Sequence, residues 1–277
     1  MNTMRRLGRT TAKAAMAWVD ERCPSMAAAV AFFSAFSLAP TLVLVIAIAG
    51  AFFGPEAVRG ELVDQLRGLL GEEGAQAVQG MVESAWLAEA SGLKTLVSVA
   101  TLLIGASATF SELSDDVDRL WRVPPRPGAS AIGAFLRVRL LSIGLVIGVG
   151  FLLVVSLVVD AGIKALQDSI WAPDEATQWA MSVFNQASTL LLLGGVFALL
   201  MKALPQVRVA WRDVALGAIV ASALFVIGKN VFGLYLARAG TVDAFGAAGS
   251  LAVLLMWLFY SAAVFLYGVM FARIWSE

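Results

Sequence analysis

No histidine occurs in these 277 residues, and Cys23 is the one cysteine. The first absence excludes a histidine metal site, a histidine general base and a Cys–His dyad. The second excludes a disulfide within the chain. Charge is scarce too: Asp, Glu, Lys and Arg make up 14% of the residues, where soluble domains carry about 25%. Lys plus Arg and Asp plus Glu balance at 20 each, and an isoelectric point near 6.4 offers no basic surface to nucleic acid. No G-x-x-x-x-G-K-[ST] loop is present to cradle a nucleotide. No cofactor is expected.

Hydrocarbon takes the place of what is missing. Hydrophobic residues make up 60% of the chain and its mean hydropathy is +0.83. A bilayer core of about 30 Å needs about 20 apolar helical residues. Six stretches meet that length: Ala27–Phe53, Leu93–Phe110, Leu140–Val159, Met181–Leu204, Val214–Leu236 and Gly246–Ile274. Lipid offers no partner to an open strand edge, so the fold class predicted is all-α integral membrane, with six transmembrane helices. The short alternating segments of a barrel are not seen.

Cations set the orientation. With the N-terminus in the cytoplasm, fourteen of the 20 Lys and Arg fall in inside segments and five in outside segments. The last, Lys229, lies within a span. The prediction is a multi-pass protein of the bacterial inner membrane with both termini cytoplasmic. Residues 1–22 read as a cytoplasmic interfacial helix with Leu7, Thr11, Ala14 and Trp18 on one face and Arg5, Arg6, Arg9 and Lys13 largely elsewhere. The apolar run behind it is about twice the length of a signal-peptide core, so cleavage is not expected. Residues 23–275 form the six-span membrane domain.

Within that domain residues 54–92 are predicted to be a periplasmic loop of two amphipathic helices. Val58, Leu62, Leu66 and Leu69 or Leu70 make one stripe; Val78, Met81, Val82, Ala85 and Trp86 make the other, with GEEGA (71–75) between them. Such stripes either bury against neighbouring helices and headgroups or line the mouth of a cavity. The loop after the second span reads SELSDDVDRLWRVPPRP. Asp115, Asp116 and Asp118 suggest a metal, but a prenyl-transfer site needs two facing acidic clusters. The simpler expectation is a helical turn whose acids pair with Arg119 and Arg122 and which ends at Pro124, Pro125 and Pro127.

Polar residues inside the spans mark the candidate cavity. Pro40 has 13 residues on either side within Ala27–Phe53, about 20 Å each way, so it falls near mid-bilayer. Ser34, Ser37 and Thr41 share its face. A kink satisfied by a neighbouring helix and a broken helix lining a substrate path both fit. Lys229 stands about 22 Å along the fifth span, in the outer half, beside Asn230. Either it snorkels to the outer headgroups or it meets an anionic group in a cavity. Arg238 follows at the outer mouth. Gly217 with Ala221, and Gly144 with Gly148, have the spacing of close helix crossings.

The blocks AAAVAFFSAFSLAPTLVLVIAIAG, DRLWRVP, WRDVALGAIVASALFVIGKNVFGLYLA and GAAGSLAVLLMWLFYSAAVFLYG, in this order, resemble the YihY/virulence factor BrkB family. The resemblance runs from about Cys23 to Ile274. It implies a bacterial inner-membrane protein with six spans and cytoplasmic termini. It also implies a link to envelope lipid or lipopolysaccharide traffic and to serum resistance, although members were once labelled ribonuclease BN. That family usually ends its last span with a glycine-small-glutamate pattern; here the residues are Gly268, Val269 and Met270.

Nuclease chemistry does not suit the residues, because phosphodiester hydrolysis needs metal-holding side chains beside a basic groove. No enzyme is expected, although an acid cluster acting on lipid is a third option. The leading expectation is a transporter or flippase-like protein for an amphiphilic envelope lipid. Its lining would be Ser34, Ser37, Pro40, Thr41, Lys229, Asn230 and Arg238. The alternative is a non-transporting scaffold that binds an envelope protein through its outer loop. The partners are thus membrane lipids, or an envelope protein, and not nucleic acid.

Overall fold

The computed structural model describes residues 2–54, 108–124, 190–239 and 247–277, together with helical positions scattered between 56 and 83. Every regular element among them is helical. In chain order these are α1 (Asn2–Asp20), α2 (Cys23–Phe53), the segment α3 (108–120), α4 (Leu190–Ala203), α5 (Trp211–Ala239) and α6 (Ala247–Ser276). Stretches of α5 (Trp211–Phe232) and α6 (Leu251–Ser276) are long and apolar enough to cross a membrane. The predicted span Leu140–Val159 and most of Leu93–Phe110 lie outside the described residues.

α6 is the centre of the packing, touching α1, α2 and α5. Its lower half is almost wholly buried, with Leu266, Val269, Met270, Phe271 and Ala272 at 0% exposure. Lipid tails are as apolar as leucine, so helices in a bilayer associate by close contact rather than by escape from water. Small residues permit that contact here. A Cβ on Gly217 of α5 would lie 2.5 Å from the Gly268 carbonyl oxygen of α6, and one on Gly268 would lie 2.8 Å from the Gly217 oxygen. Ala221 and Ala272 flank the same crossing. The Gly217 and Ala221 spacing is therefore a packing device, and Gly268 is its counterpart. Further up, the Tyr260 ring lies in the notch left by Gly228 and donates its hydroxyl to the Leu224 carbonyl at 2.6 Å.

The outward faces of α2 and α5 are apolar: Phe32 and Phe36, and Ile219, Ile227, Val231 and Leu234. α2 runs as one helix through Pro40. α1 packs against the bundle by one side. Its buried face is Thr10, Ala14, Ala17 and Trp18, whereas Leu7 and Thr11 are exposed. That side is set by docking on α6, where Tyr267 donates to the Thr11 carbonyl at 3.1 Å and the Arg6 guanidinium stacks 4.5 Å from the Trp275 ring. A helix read alone shows its apolar stripe; which edge of that stripe is buried depends on the helix it meets.

Among the described positions of the segment after α2, Val58, Val78 and Val82 are buried against Ile46, Leu254 and Trp257, with Leu62 at the edge. Ile46, Leu62, Val78 and Val82 line a cavity with Leu42 and Arg59 that holds about 20 Å³, room for about one water. Leu66, Leu69, Leu70, Met81, Ala85 and Trp86 lie outside the described residues.

Candidate functional site

At the end of the bundle away from Trp257, four chain segments are joined by polar groups. The joint begins with how α3 stops. The Arg122 amide donates to the Arg119 carbonyl at 3.0 Å and the Val123 amide to the Asp118 carbonyl at 2.9 Å, with Arg122 in the left-handed region at φ 51°. This is a Schellman closure in which arginine takes the position glycine usually fills. The helix thus ends before Pro124 by its own hydrogen bonds, and the prolines follow an end already made. A second arginine, Arg22, is left-handed at φ 57°, between α1 and α2.

One carbonyl that the closure leaves over, that of Leu120, accepts from Arg273 Nη1 at 2.9 Å. A buried cation at the C-terminal end of a helix also meets the negative pole of its dipole. Arg273 reaches Glu21 at 3.8 Å and Glu277 at 3.3 Å, and Arg122 reaches Glu21 at 3.5 Å. One carboxylate at the α1–α2 corner therefore joins the ends of α3 and α6. The Arg122 side chain is 71% exposed, so its pair is screened and weak, while that of Arg273 is 11% exposed and gains more.

Asp118 faces the link between α4 and α5. Its Oδ1 accepts from the Gln206 backbone amide and its Oδ2 from Gln206 Nε2, both at 2.7 Å. Ser114 donates to the Leu204 carbonyl at 3.4 Å beside it. Lys202 donates to the Val209 carbonyl and lies 5.4 Å from the Trp211 ring, which folds the link back on itself. The expected pairing of these acids with Arg122 is thus corrected, since Arg122 goes to Glu21 and Asp118 to Gln206, while Arg119 favours the charged form of Asp116. Proximity in sequence suggested the first partners, and tertiary packing supplied better ones. Glu21 and Gln206 carried no signal in the sequence.

Asp116 differs from Asp118. It is 6% exposed, and its Oδ2 has no hydrogen-bond partner among the described residues. Burial, then Glu112 and Asp115, push its carboxyl up to about 7, against the pull of Arg119. The Cys23 thiol is pushed up to about 12 by burial and by the charges of Asp116 and Glu21. Asp115 is raised by burial and by Asp118. A thiol this basic is no nucleophile at neutral pH. Among the described residues no group of three His, Cys, Asp or Glu is placed to hold a metal. Beside the joint an open polar cleft of about 410 Å³ is lined by Lys13, Asp20, Glu21, Arg122, Arg273 and Glu277, with cations and carboxylates in equal number.

The residues predicted to line a cavity lie elsewhere. Ser34 is half-buried and Ser37 buried. Ser37 Oγ donates to the Ser34 carbonyl at 3.1 Å and lies 3.4 Å from Thr109 Oγ1 of α3. Lys229 is half-buried, with no hydrogen bond or ion pair among the described residues, directly after the Gly228 notch. Asn230 is exposed beside Ile227 and Val231. The side chains of Pro40, Thr41 and Arg238 lie outside the described residues.

A family profile described as virulence factor BrkB matches residues 14–277. A UPF0761 membrane protein of Tolumonas auensis is 31% identical over 189 residues, which cover 67% of this chain and 57% of that protein. The UPF0761 membrane protein of Aromatoleum aromaticum is 28% identical over 253 residues, covering 89% and 58%. That of Paraburkholderia xenovorans is 26% identical over 282 residues, covering 98% and 60%. The chain therefore spans less than two thirds of the length of these relatives. No solved structure matches it. Apolar helices of spanning length, the match from Ala14 to the last residue and relatives named as membrane proteins lead to one statement: the chain belongs to the virulence factor BrkB family and is a membrane protein.

Proposed function

We propose that the chain is a six-span protein of the bacterial inner membrane, with both ends cytoplasmic, that carries an amphiphilic envelope lipid in the manner of a transporter or flippase. The polar joint of Glu21, Asp118, Arg122 and Arg273 is its cytoplasmic end. This supports the orientation, because segments far apart in sequence but all assigned inside by their cations meet there. The observation that carries the reading is Lys229. It is a half-buried cation in an apolar helix, without a partner among the described residues, in the outer half of the predicted span. An unanswered lysine costs about 2.5–3.5 kcal/mol at the bilayer centre on insertion scales and less towards the interface, and an anionic headgroup would answer it. Ser34, Ser37, Pro40, Thr41, Asn230 and Arg238 flank the proposed path. With no nucleotide loop, the driving force is a gradient, a partner or the lipid's own distribution.

The test is lipid movement in vesicles reconstituted with the chain and a fluorescent anionic phospholipid. Faster exchange than in empty vesicles is expected, with most of the gain lost in Lys229→Ala and kept in Lys229→Arg. A rate equal to that of empty vesicles removes the proposal. The second reading, a scaffold for an envelope protein, draws on Glu56, Arg67, Gln76 and Glu83, which are exposed on the segment after α2. It requires that deleting residues 55–88 abolish function while Lys229→Ala is silent.

A further inference from the structure

Two carboxylates stand two residues apart at the end of α3, both nearly free of solvent. Asp118 is 9% exposed and each of its oxygens receives a hydrogen bond. Asp116 is 6% exposed and its Oδ2 receives none among the described residues. Packing has thus satisfied both oxygens of one acid and buried one oxygen of the other without a donor. A carboxylate with one oxygen buried away from any donor favours its neutral form, because ionisation there forfeits hydration that no hydrogen bond at that oxygen replaces.

The charged groups around Asp116 do not change that. On its own helix Glu112 and Asp115 oppose its ionisation, and Arg119 favours it from an exposed position. From α2 the neighbouring titratable group is the Cys23 thiol, buried and itself disfavoured as an anion by Asp116. Glu21 at the α1–α2 corner is held by Arg122 and Arg273. Arg273 from α6 is committed to the Leu120 carbonyl, Glu21 and Glu277. From the α4–α5 side Lys202 donates to Val209, and Arg208 is exposed. Among the described residues none of these cations forms an ion pair with Asp116.

We propose that Asp116 is a proton-binding site, neutral while the cytoplasmic joint is closed, which releases its proton as the α2–α3 contact opens to cytoplasmic water. The carboxyl's position at about 7, against an ordinary 3.8, puts that exchange in the physiological range. The closed state holds a proton that an opened one does not between these two values. Acid therefore favours closure, the advantage fades as pH rises towards about 7, and above that it is flat. The ligand is a proton and the site is the joint, so the inference does not depend on lipid carriage.

Infrared titration of the full chain in lipid nanodiscs tests it without any substrate. The expected result is a protonated-carboxyl band that titrates near neutrality, is absent in Asp116→Asn and persists in Asp115→Asn. Glu112→Gln should move its midpoint down and Arg119→Met should move it up, which keeps the test sharp if the Asn variant folds poorly. The wild-type melting midpoint should fall from about pH 5 to about pH 8, and that of Asp116→Asn should stay level. A wild type with no near-neutral carboxyl, or a band that survives in Asp116→Asn, overturns the proton site. Parallel melting profiles of the two proteins overturn its coupling to the joint.

Discussion

At one end of α6, Arg273 is tied to Leu120, Glu21 and Glu277; about 24 Å along the same helix, Trp257 meets Phe225 edge-on and Phe232 at a tilt, with ring centroids 5.1 and 5.2 Å away. The first end is held by directed, charge-assisted bonds that have few alternatives. The second is held mainly by shape, with the Tyr260 hydrogen bond to Leu224 beside it, against lipid that is equally apolar. The two ends should therefore fail differently. Breaking the polar end leaves buried groups unsatisfied, whereas loosening the aromatic end lets lipid or a neighbouring side chain fill the space.

Arg273→Met should have the largest effect. It leaves Glu21 and the Leu120 carbonyl without their buried donor, and loss of one partner of such a pair costs about 3–5 kcal/mol. Denaturant unfolding in detergent measures it, and a cost no larger than that of Trp257→Leu would erase the contrast between the ends. Gly217→Val comes next, because the new side chain meets a carbonyl oxygen rather than a flexible group; overpacking of this kind costs about 1–3 kcal/mol. Tyr260→Phe should be milder, at about 0.5–1.5 kcal/mol for one hydrogen bond, since the ring still fills the Gly228 notch.

Arg122→Gly should be the smallest change in stability and could reverse its sign. Glycine relieves a left-handed residue of about 1–2 kcal/mol, while the exposed pair with Glu21 is worth about 0–1 kcal/mol. If unfolding shows Arg122→Gly to be neutral or stabilised while function falls, the arginine is kept there for its charge in the cleft. If both stability and function are unchanged, the polar end depends on Arg273 alone.

Much of the scaffold was legible in the residues. Composition and the long apolar runs indicated a helical membrane protein, because lipid tolerates few backbone solutions. The Gly217 and Ala221 spacing marked a crossing, since only small residues let backbones touch. The candidate site was legible in part. Ser37 was singled out and proved buried, bonded within its own helix and close to Thr109. Asp116 and Asp118 were noticed only as a cluster, and nothing in DDVD distinguishes the acid with both oxygens hydrogen-bonded from the one with an oxygen buried without a donor.

The sequence by itself therefore determined the solvent and the element type, because transfer of charge and backbone into hydrocarbon is costly wherever the residue stands. Only the tertiary structure decided that Glu21 joins Arg122 to Arg273, that Gln206 satisfies Asp118, that α1 buries Thr10 and Ala14, and that Asp116 Oδ2 is left without a donor among the described residues. Those outcomes depend on which groups arrive within 3 or 4 Å of one another from positions up to about 250 residues apart, as for Glu21 and Arg273. A local pattern carries no term for that distance.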